Sequence, residues 1–563
     1  MKNKFGKIKY DWKFALFLLA FAAGIFLRIY HFSDWLYFKL DQARDAFIAL
    51  QAFEKGPGYL PLLGARAGGT YLLLGPVYYY FQYLALLITR NAYPATYALP
   101  DLFFAILSVP MFYIFIKRYF GRNWALYLAS VLALCFFAIE YSRFSWNTNP
   151  LPFFTLLYFF SLLKSLESEG RKALWWALIS GVALSVTSQL HFLAFLGFPV
   201  VTFLLIIIDR KNLRGKTGWR IILVFLSGFL ILYVPWILSD LGNNWKNTLH
   251  FWDAVLTKLF SATLWQDVVL GFAYFAQDWI IILTGYVATM KEHLLFLLAW
   301  IVFILPSIFL NWKFYRSEQD AKKRRFLLLT LLWFLIFLIV YIPIGHQLRA
   351  RYFLVMEALP LIYLGYILKY INSLRRRGKN VAVAAVAAAV IIGNLAGTYL
   401  WFNQLALAEK QTSVDSKRTF VFKEEDDVTL WHIDQAAKYI TDNCTGKEVR
   451  FAAPPVHLKA VDYMLRYYAA KKTAEQKSKS GEYCFYAVGS SKSDMGYVDA
   501  NVKNNFHVAE RKIFGLVGVY KIEPNDPKNI SFKRLYDINS DEITEETKAN
   551  RIYWKDLFSP GKN

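Results

Sequence analysis

Two carboxylates stand four residues apart in the stretch FKLDQARDAF, Asp41 and Asp45, with Arg44 between them. Helical positions three and four apart share a face, so both acids point the same way and Arg44 lies within one turn of Asp41. A carboxylate within hydrogen-bond reach of an attacking hydroxyl can serve as a general base. A plainer reading stays open: Asp41 caps a helix running to about Glu54, and Asp45 and Arg44 are solvated. A second set comes much later in HQLRARYF, with His346, Arg349, Arg351 and Tyr352. The planar guanidinium fork suits phosphate, although arginines at the end of a span also snorkel to lipid headgroups. His346 either donates to the same anion or bonds a backbone carbonyl.

The chain that must position these groups has 563 residues, 56% of them hydrophobic and 18% aromatic. Such a composition excludes an ordinary soluble protein and predicts a polytopic membrane protein. The net charge of +23 does not point to nucleic acid, because lysines and arginines cluster between apolar runs as they do in cytoplasmic loops. Runs long enough to span occur at roughly 13–31, 97–117, 123–140, 150–165, 172–189, 191–208, 219–239, 293–311, 326–344, 352–370 and 381–402. Two shorter apolar stretches, 76–89 and 276–290, are ambiguous. Keeping both on one side gathers Lys2 to Lys13, Lys117/Arg118/Arg122, Arg171/Lys172, Arg210 to Arg220, Lys313 to Arg325 and Arg375 to Lys379 in the cytoplasm. The expectation is therefore eleven spans with the N-terminus inside and the C-terminal region outside, or thirteen spans with the same parity. The first apolar run follows a basic start like a signal peptide but lacks a small-residue cleavage site, so it reads as a retained span.

This topology turns the large loops 32–96 and 240–292 outward, together with segment 141–149 and the turns at 189–191 and 344–351. Every candidate group then shares one side. In the first loop, PLLGARAGGTYLLLGPVYYYFQ combines turn residues with tyrosines, which fits a segment folded back along the membrane surface or an ordinary aromatic belt. The second loop carries WIIILTGYVATM, an apolar segment for the interface that lines a groove for a lipid tail or packs on the bundle. The module 1–402 gives way at 403–563 to a charged region without a spanning run, read as an exported α/β domain. Its helix candidates are LWHIDQAAKYITDN and AVDYMLRYYAAKK, and its strand candidates are EVRFAAP, EYCFYAVG and FGLVGVYKI. Cys444 and Cys484 can pair if that region is exported, while Cys135 lies in an apolar run.

Read in order, the aspartate pair, LLG, LGPVYYYF, YSRFSWNTNPLPFF, TSQLHFLAF and HQLRARYFLVMEALPLIYLGYIL resemble the GT-C glycosyltransferases, particularly the family 39 branch with its protein O-mannosyltransferases and lipid A aminoarabinose transferases. The resemblance covers about residues 10–400, and its strength lies in the ordered set, since each motif is short and degenerate. It implies a helical bundle whose first outer loop carries the catalytic acid, a sugar donor on a polyprenyl phosphate, and a lipid, cell-wall glycan or protein acceptor on the outer face. Asp41 matches the first acid of the family's Asp-Glu motif; Gln42 stands in the second place, and Asp45 follows one turn later as a supporting residue. The implied donor phosphate contacts are Arg351 and Tyr352, then Arg349 and His346. The implied substrate contacts are Arg44, Gly75, Pro76, Tyr79, Arg143, Asn149, Gln189 and His191. For Arg143 an adjacent acid, and for Gln189 and His191 a turn cap, are equal alternatives.

A carboxylate on the face of the sugar opposite a leaving phosphate suits inversion. No bound metal or other cofactor is expected, because SRFSWNTNP offers Asn147 and Asn149 but no carboxylate. No Walker pattern occurs, which fits chemistry outside the cytoplasm, among membrane lipids and without nucleic acid. Two rival readings are a transporter or flippase of a lipid-linked glycan and a non-catalytic partner of such an enzyme. A transporter should carry ionisable groups at mid-membrane depth, whereas these charges gather at one rim; the missing second acid keeps the partner reading open.

Overall fold

A computed structural model describes residues 11–68, 70–209, 216–259, 264–374, 378–411, 427–472, 482–489, 502, 505–528, 530, 535–537 and 552–558. Much of three basic clusters, Lys2 to Lys13, Arg210 to Arg220 and Arg375 to Lys379, lies outside the described residues.

Among the described residues, eight helices are long and apolar enough to cross a membrane, nine if the bent pair Ala350–Met356 and Ala358–Ser373 counts as one span. They begin with α1, Trp12–Ile29, and end with Lys379–Glu409. Three expected spans fall short of that length. Run 123–140 breaks at Cys135 into Arg122–Leu134 and Phe136–Glu140, and 150–165 and 191–208 form the 17-residue helices Leu151–Glu167 and Phe192–Ile208. At the break, Asn394 of the last long helix accepts from the freed Phe136 N–H at 2.8 Å, which makes an interrupted helix tolerable in an apolar bundle.

The stretch expected at 276–290 is corrected: it belongs to the 21-residue helix Leu264–Thr284, so loop 240–292 contains a helix of spanning length. Asp267 and Asp278 interrupt the apolar run in sequence, yet both are buried against neighbours rather than facing lipid. Glu140 and Glu357 are likewise buried. The other short stretch is helix α3, Val77–Thr89, of only 13 residues.

Beyond Glu409 the fold changes to a five-stranded mixed sheet of order β3-β4-β2-β1-β5. The strands are β1 Glu448–Ala452, β2 Tyr483–Gly489, β3 Phe506–Phe514, β4 Val517–Pro524 and β5 Tyr536–Asp537. The β1 and β2 strands run parallel, which requires a crossover, and helix Pro455–Ala470 lies in that connection. Helix Leu430–Asn443 packs beside it. Cys444 and Cys484 form a disulfide with Cα atoms 6.1 Å apart, while Cys135 is buried and free.

This region docks on helix α2, Leu40–Lys55, which follows α1. Tyr463 packs edge-on against Phe38 and Phe47, and its hydroxyl lies 2.6 Å from that of Tyr97. The Leu430 N–H donates to Leu36 O at 2.8 Å. The helix bearing the two aspartates is thus held between the bundle and the sheet-bearing region.

Candidate active site

Helix α2 opens one residue before Asp41, so Asp41 lies in its first turn rather than at the capping position, which falls to Lys39. The side chain of Gln42 folds back and accepts from the Lys39 N–H at 3.3 Å, capping the helix from within. The residue that departs from the acidic pair therefore closes the helix end and is itself buried.

Arg44 binds both aspartates. Its Nη1 donates to Asp41 Oδ1 at 2.8 Å and its Nε to Asp45 Oδ1 at 2.9 Å. Burial works against the Arg44 charge, but the neighbouring Asp45, Tyr79 and Asp41 outweigh it and raise its pKa above the usual arginine range. The two acids differ sharply in access: the Asp41 side chain is 44% exposed and that of Asp45 only 4%. Asp45 also accepts from the Tyr79 hydroxyl at 3.0 Å.

The Gly-rich part of the first loop forms a hairpin. Gly64 N–H donates to Leu74 O, Leu74 N–H to Ala65 O and Ala67 N–H to Leu72 O, at 2.7 to 2.9 Å. Asn247 clasps Leu73 from across the fold, accepting its N–H at 2.8 Å and donating to its carbonyl at 2.9 Å. A Cβ on Gly75 would overlap the Gln189 side chain, so only glycine lets the returning leg press this close.

Asp41, Arg44 and the hairpin tip share a cavity of about 140 Å³ with Trp146, Asn147, Thr148, His191, Gln347, Arg351 and Tyr352. The acidic helix turn and the distant arginine-tyrosine pair therefore face one opening. Arg351 lies 4.4 Å from the Trp146 ring centroid and 5.3 Å from that of Tyr352. Tyr352 also meets the His191 ring at 5.0 Å. Arg66, at the hairpin tip, lies over Tyr71 at 5.4 Å. Neither Arg66 nor Arg351 has an ion pair among the described residues.

Of the groups expected at the site, Asp41, Arg44, His191, Arg351 and Tyr352 line the cavity. Asp45 and Tyr79 stand one layer behind Asp41. Gly75 and Gln189 shape the loop instead of lining the opening, Pro76 starts α3, and Gln189 donates to Leu232 O at 2.9 Å. His346 is turned away, bonded through Nδ1 to Asp267 at 2.5 Å, and Arg349 donates to the neighbouring Leu348 carbonyl at 3.0 Å. Neither of these two lines the cavity. Asn149 is buried and donates to Phe144 O at 2.7 Å.

Arg143 is no cavity residue either. It caps α1, donating to the Leu27 and Tyr30 carbonyls at 2.6 Å each, and lies 4.9 Å from the Phe402 ring. The free carbonyls at a helix end carry partial negative charge and accept from a guanidinium, and neither alternative weighed for Arg143 anticipated that partner.

Sequence reading missed Arg66, Trp146, Thr148 and Gln347. Arg66 carried a signal: it is a lone basic residue in a Gly-rich loop assigned to the outward side, where the charge bias of membrane proteins disfavours it. Thr148 carried none, and its buried hydroxyl has no hydrogen-bond partner among the described residues.

The sequence matches no family model and no curated protein. Among solved structures, ArnT from Cupriavidus metallidurans bound to undecaprenyl phosphate superposes with a TM-score of 0.54 at 13% identity, covering 90% of this chain and 97% of that one. The apo state of the same protein gives 0.53 at equal identity and coverage. The oligosaccharyltransferase AglB from Archaeoglobus fulgidus, in complex with an inhibitory peptide and a dolichol-phosphate, gives only 0.44 at 14% identity, over 72% of this chain and 59% of that one, too loose a likeness to carry weight. Helices of spanning length and a superposition over nine tenths of the chain lead to one conclusion: this chain is a multi-pass membrane protein that shares the fold of ArnT.

Proposed function

We propose that the chain is an integral membrane glycosyltransferase that takes a sugar from a polyprenyl phosphate-linked donor and passes it, with inversion, to an acceptor on the outer face. One observation carries the reading: Asp41 and the cations Arg66 and Arg351 line the same cavity. A carboxylate facing two arginines without ion pairs is the arrangement needed to deprotonate a nucleophile on one side of a sugar while an anionic phosphate departs on the other. The ArnT fold was solved with undecaprenyl phosphate bound, which supports a carrier of that class here.

In this scheme the acceptor oxygen attacks the anomeric carbon, the bond from that carbon to the phosphate oxygen breaks, and the acceptor proton passes to Asp41. The bonding electrons leave with the polyprenyl phosphate. Arg351 and Arg66 hold that charge through aligned N–H donors, so the phosphate departs without full protonation. Arg44 orients Asp41, and Asp45, locked by Arg44 and Tyr79, keeps Arg44 in place. Tyr352 and Trp146 fix the Arg351 plane. The acceptor is a lipid, a cell-wall glycan or a protein.

Two features support placing the cavity and the sheet region outside the cytoplasm. The Cys444–Cys484 disulfide belongs in an oxidising compartment. Basic residues also sit at the far ends of helices whose other ends approach the cavity: Lys117 and Arg118 close Leu99–Phe120, and Lys322 to Arg325 open Ala321–Tyr341.

The direct test is to incubate purified protein with a panel of polyprenyl phosphate sugars and find by mass which donor loses its sugar and which acceptor gains it. Consumption of none, by protein that binds undecaprenyl phosphate, would refute the transfer reading. A transport reading draws on Glu140 and Asp278, buried with both carboxylate oxygens of each lacking a hydrogen-bond partner among the described residues. Flux of a lipid-linked sugar across vesicles with no covalent product would favour it.

A further inference from the structure

The segment Ile552–Phe558 returns to the first outer loop from the far end of the sequence. Ile552 O accepts the Leu62 N–H at 2.9 Å, Trp554 N–H donates to Leu60 O at 3.2 Å, and Tyr553 pairs antiparallel with Pro61. The contact is a short strand added to the neck of the hairpin that carries Arg66.

Side chains close the same neck. The Trp554 indole N–H donates to the Tyr80 hydroxyl at 2.8 Å, and that hydroxyl donates to Pro61 O at 3.1 Å. Pro61 stands on the outgoing leg of the loop and Tyr80 just beyond the returning leg, one turn into α3. The chain Trp554, Tyr80, Pro61 therefore spans both legs. Lys555 lies over the Tyr59 ring at 4.0 Å, and Tyr553 is buried against the loop. None of these residues lines the cavity, whose nearest hairpin lining begins at Ala65.

We propose that Ile552–Phe558 is a positioning strap: it fixes the base of the hairpin so that the tip residues Arg66, Ala67, Gly68 and Thr70 stay over the cavity, with Trp554 as the key contact. A hairpin of this kind, rich in glycine and lacking a partner strand at its base, would otherwise sample many conformations, and the strap removes that freedom before any substrate arrives. Its effect on activity rests on the glycosyltransferase reading, but its effect on the hairpin does not.

The experiment uses full-length protein in detergent with the variants Trp554→Ala and Trp554→Phe. Hydrogen exchange at the Gly64, Ala67 and Leu74 amides should speed up by about fivefold or more in Trp554→Ala, with Gly170–Leu190 and β2 unchanged. Trp554→Phe, which keeps the ring and loses the N–H, should fall between that variant and the wild type. With undecaprenyl phosphate as the probe, Trp554→Ala should bind more weakly by about the same factor as the hairpin opens. Unchanged hairpin exchange in Trp554→Ala would overturn the strap. Global acceleration, including Gly170–Leu190, would also overturn it, since Trp554 would then hold the whole fold. If the wild type binds no undecaprenyl phosphate while the hairpin still loosens in Trp554→Ala, the strap stands and the carrier assignment falls.

Discussion

The two walls of the cavity handle charge in opposite ways. On the α2 side, Arg44 is matched by two carboxylates, so its charge is spent on geometry inside the protein. On the other, Arg66 and Arg351 rest on aromatic rings and have no ion pair among the described residues. Matched charge positions a group, whereas unmatched charge at the lip of a membrane invites an anion from outside. The same contrast separates Arg351 from Arg143, which is consumed by the carbonyls of α1.

The strongest way to break this comparison is Asp41→Asn. It keeps the shape of the helix turn and removes the base, so transfer should fall by about 100-fold to 10,000-fold while undecaprenyl phosphate affinity stays within about twofold. Transfer at the wild-type rate would remove Asp41 from the chemistry. Next, Arg351→Ala should weaken undecaprenyl phosphate binding by about 10-fold to 100-fold, the worth of a hydrogen bond to a charged group, as titration would report. Arg66→Ala should act in the same direction, and an equal loss in Arg143→Lys would erase the distinction between matched and unmatched arginines.

Arg44→Lys sharpens the contrast from the other wall. A lysine cannot bridge two carboxylates with a planar fork, so turnover should drop by about tenfold through a displaced Asp41, with carrier affinity unchanged. A loss confined to affinity would place Arg44 on the phosphate instead.

The smallest expected effect lies away from the cavity, at Asp462. Burial, only partly offset by Arg466, pushes its pKa up from 3.8 to about 6. A carboxyl whose folded pKa lies above its unfolded value adds stability below pH about 4 and loses it as pH rises through about 6. Thermal midpoints should therefore rise modestly between pH 7 and pH 5, and Asp462→Asn should flatten that trend.

The sequence by itself determined the class of the molecule. Apolar runs too long for a soluble core demand a membrane, and beyond the last of them a different kind of region begins. There the two helix candidates and the first two strand candidates formed in place, while FGLVGVYKI straddles the turn between β3 and β4, and β3 and β5 went unexpected. Asp41 and Arg351 were legible as candidates from their residue types and their places in segments assigned to one side, and the fold brings both to one cavity.

What only the tertiary structure decided was which polar groups meet. Helix Leu264–Thr284 showed in the sequence only as the short apolar stretch 276–290, because Asp267 and Asp278 interrupt its apolar run, and only the fold shows both acids buried against protein neighbours. His346 and Arg143 were also candidates for substrate contact, yet an aspartate from another helix holds the first and three carbonyls around the end of α1 hold the second. A hydrogen-bonding side chain takes the partner nearest in space, and distance in space between remote positions is fixed by packing, on which local sequence is silent.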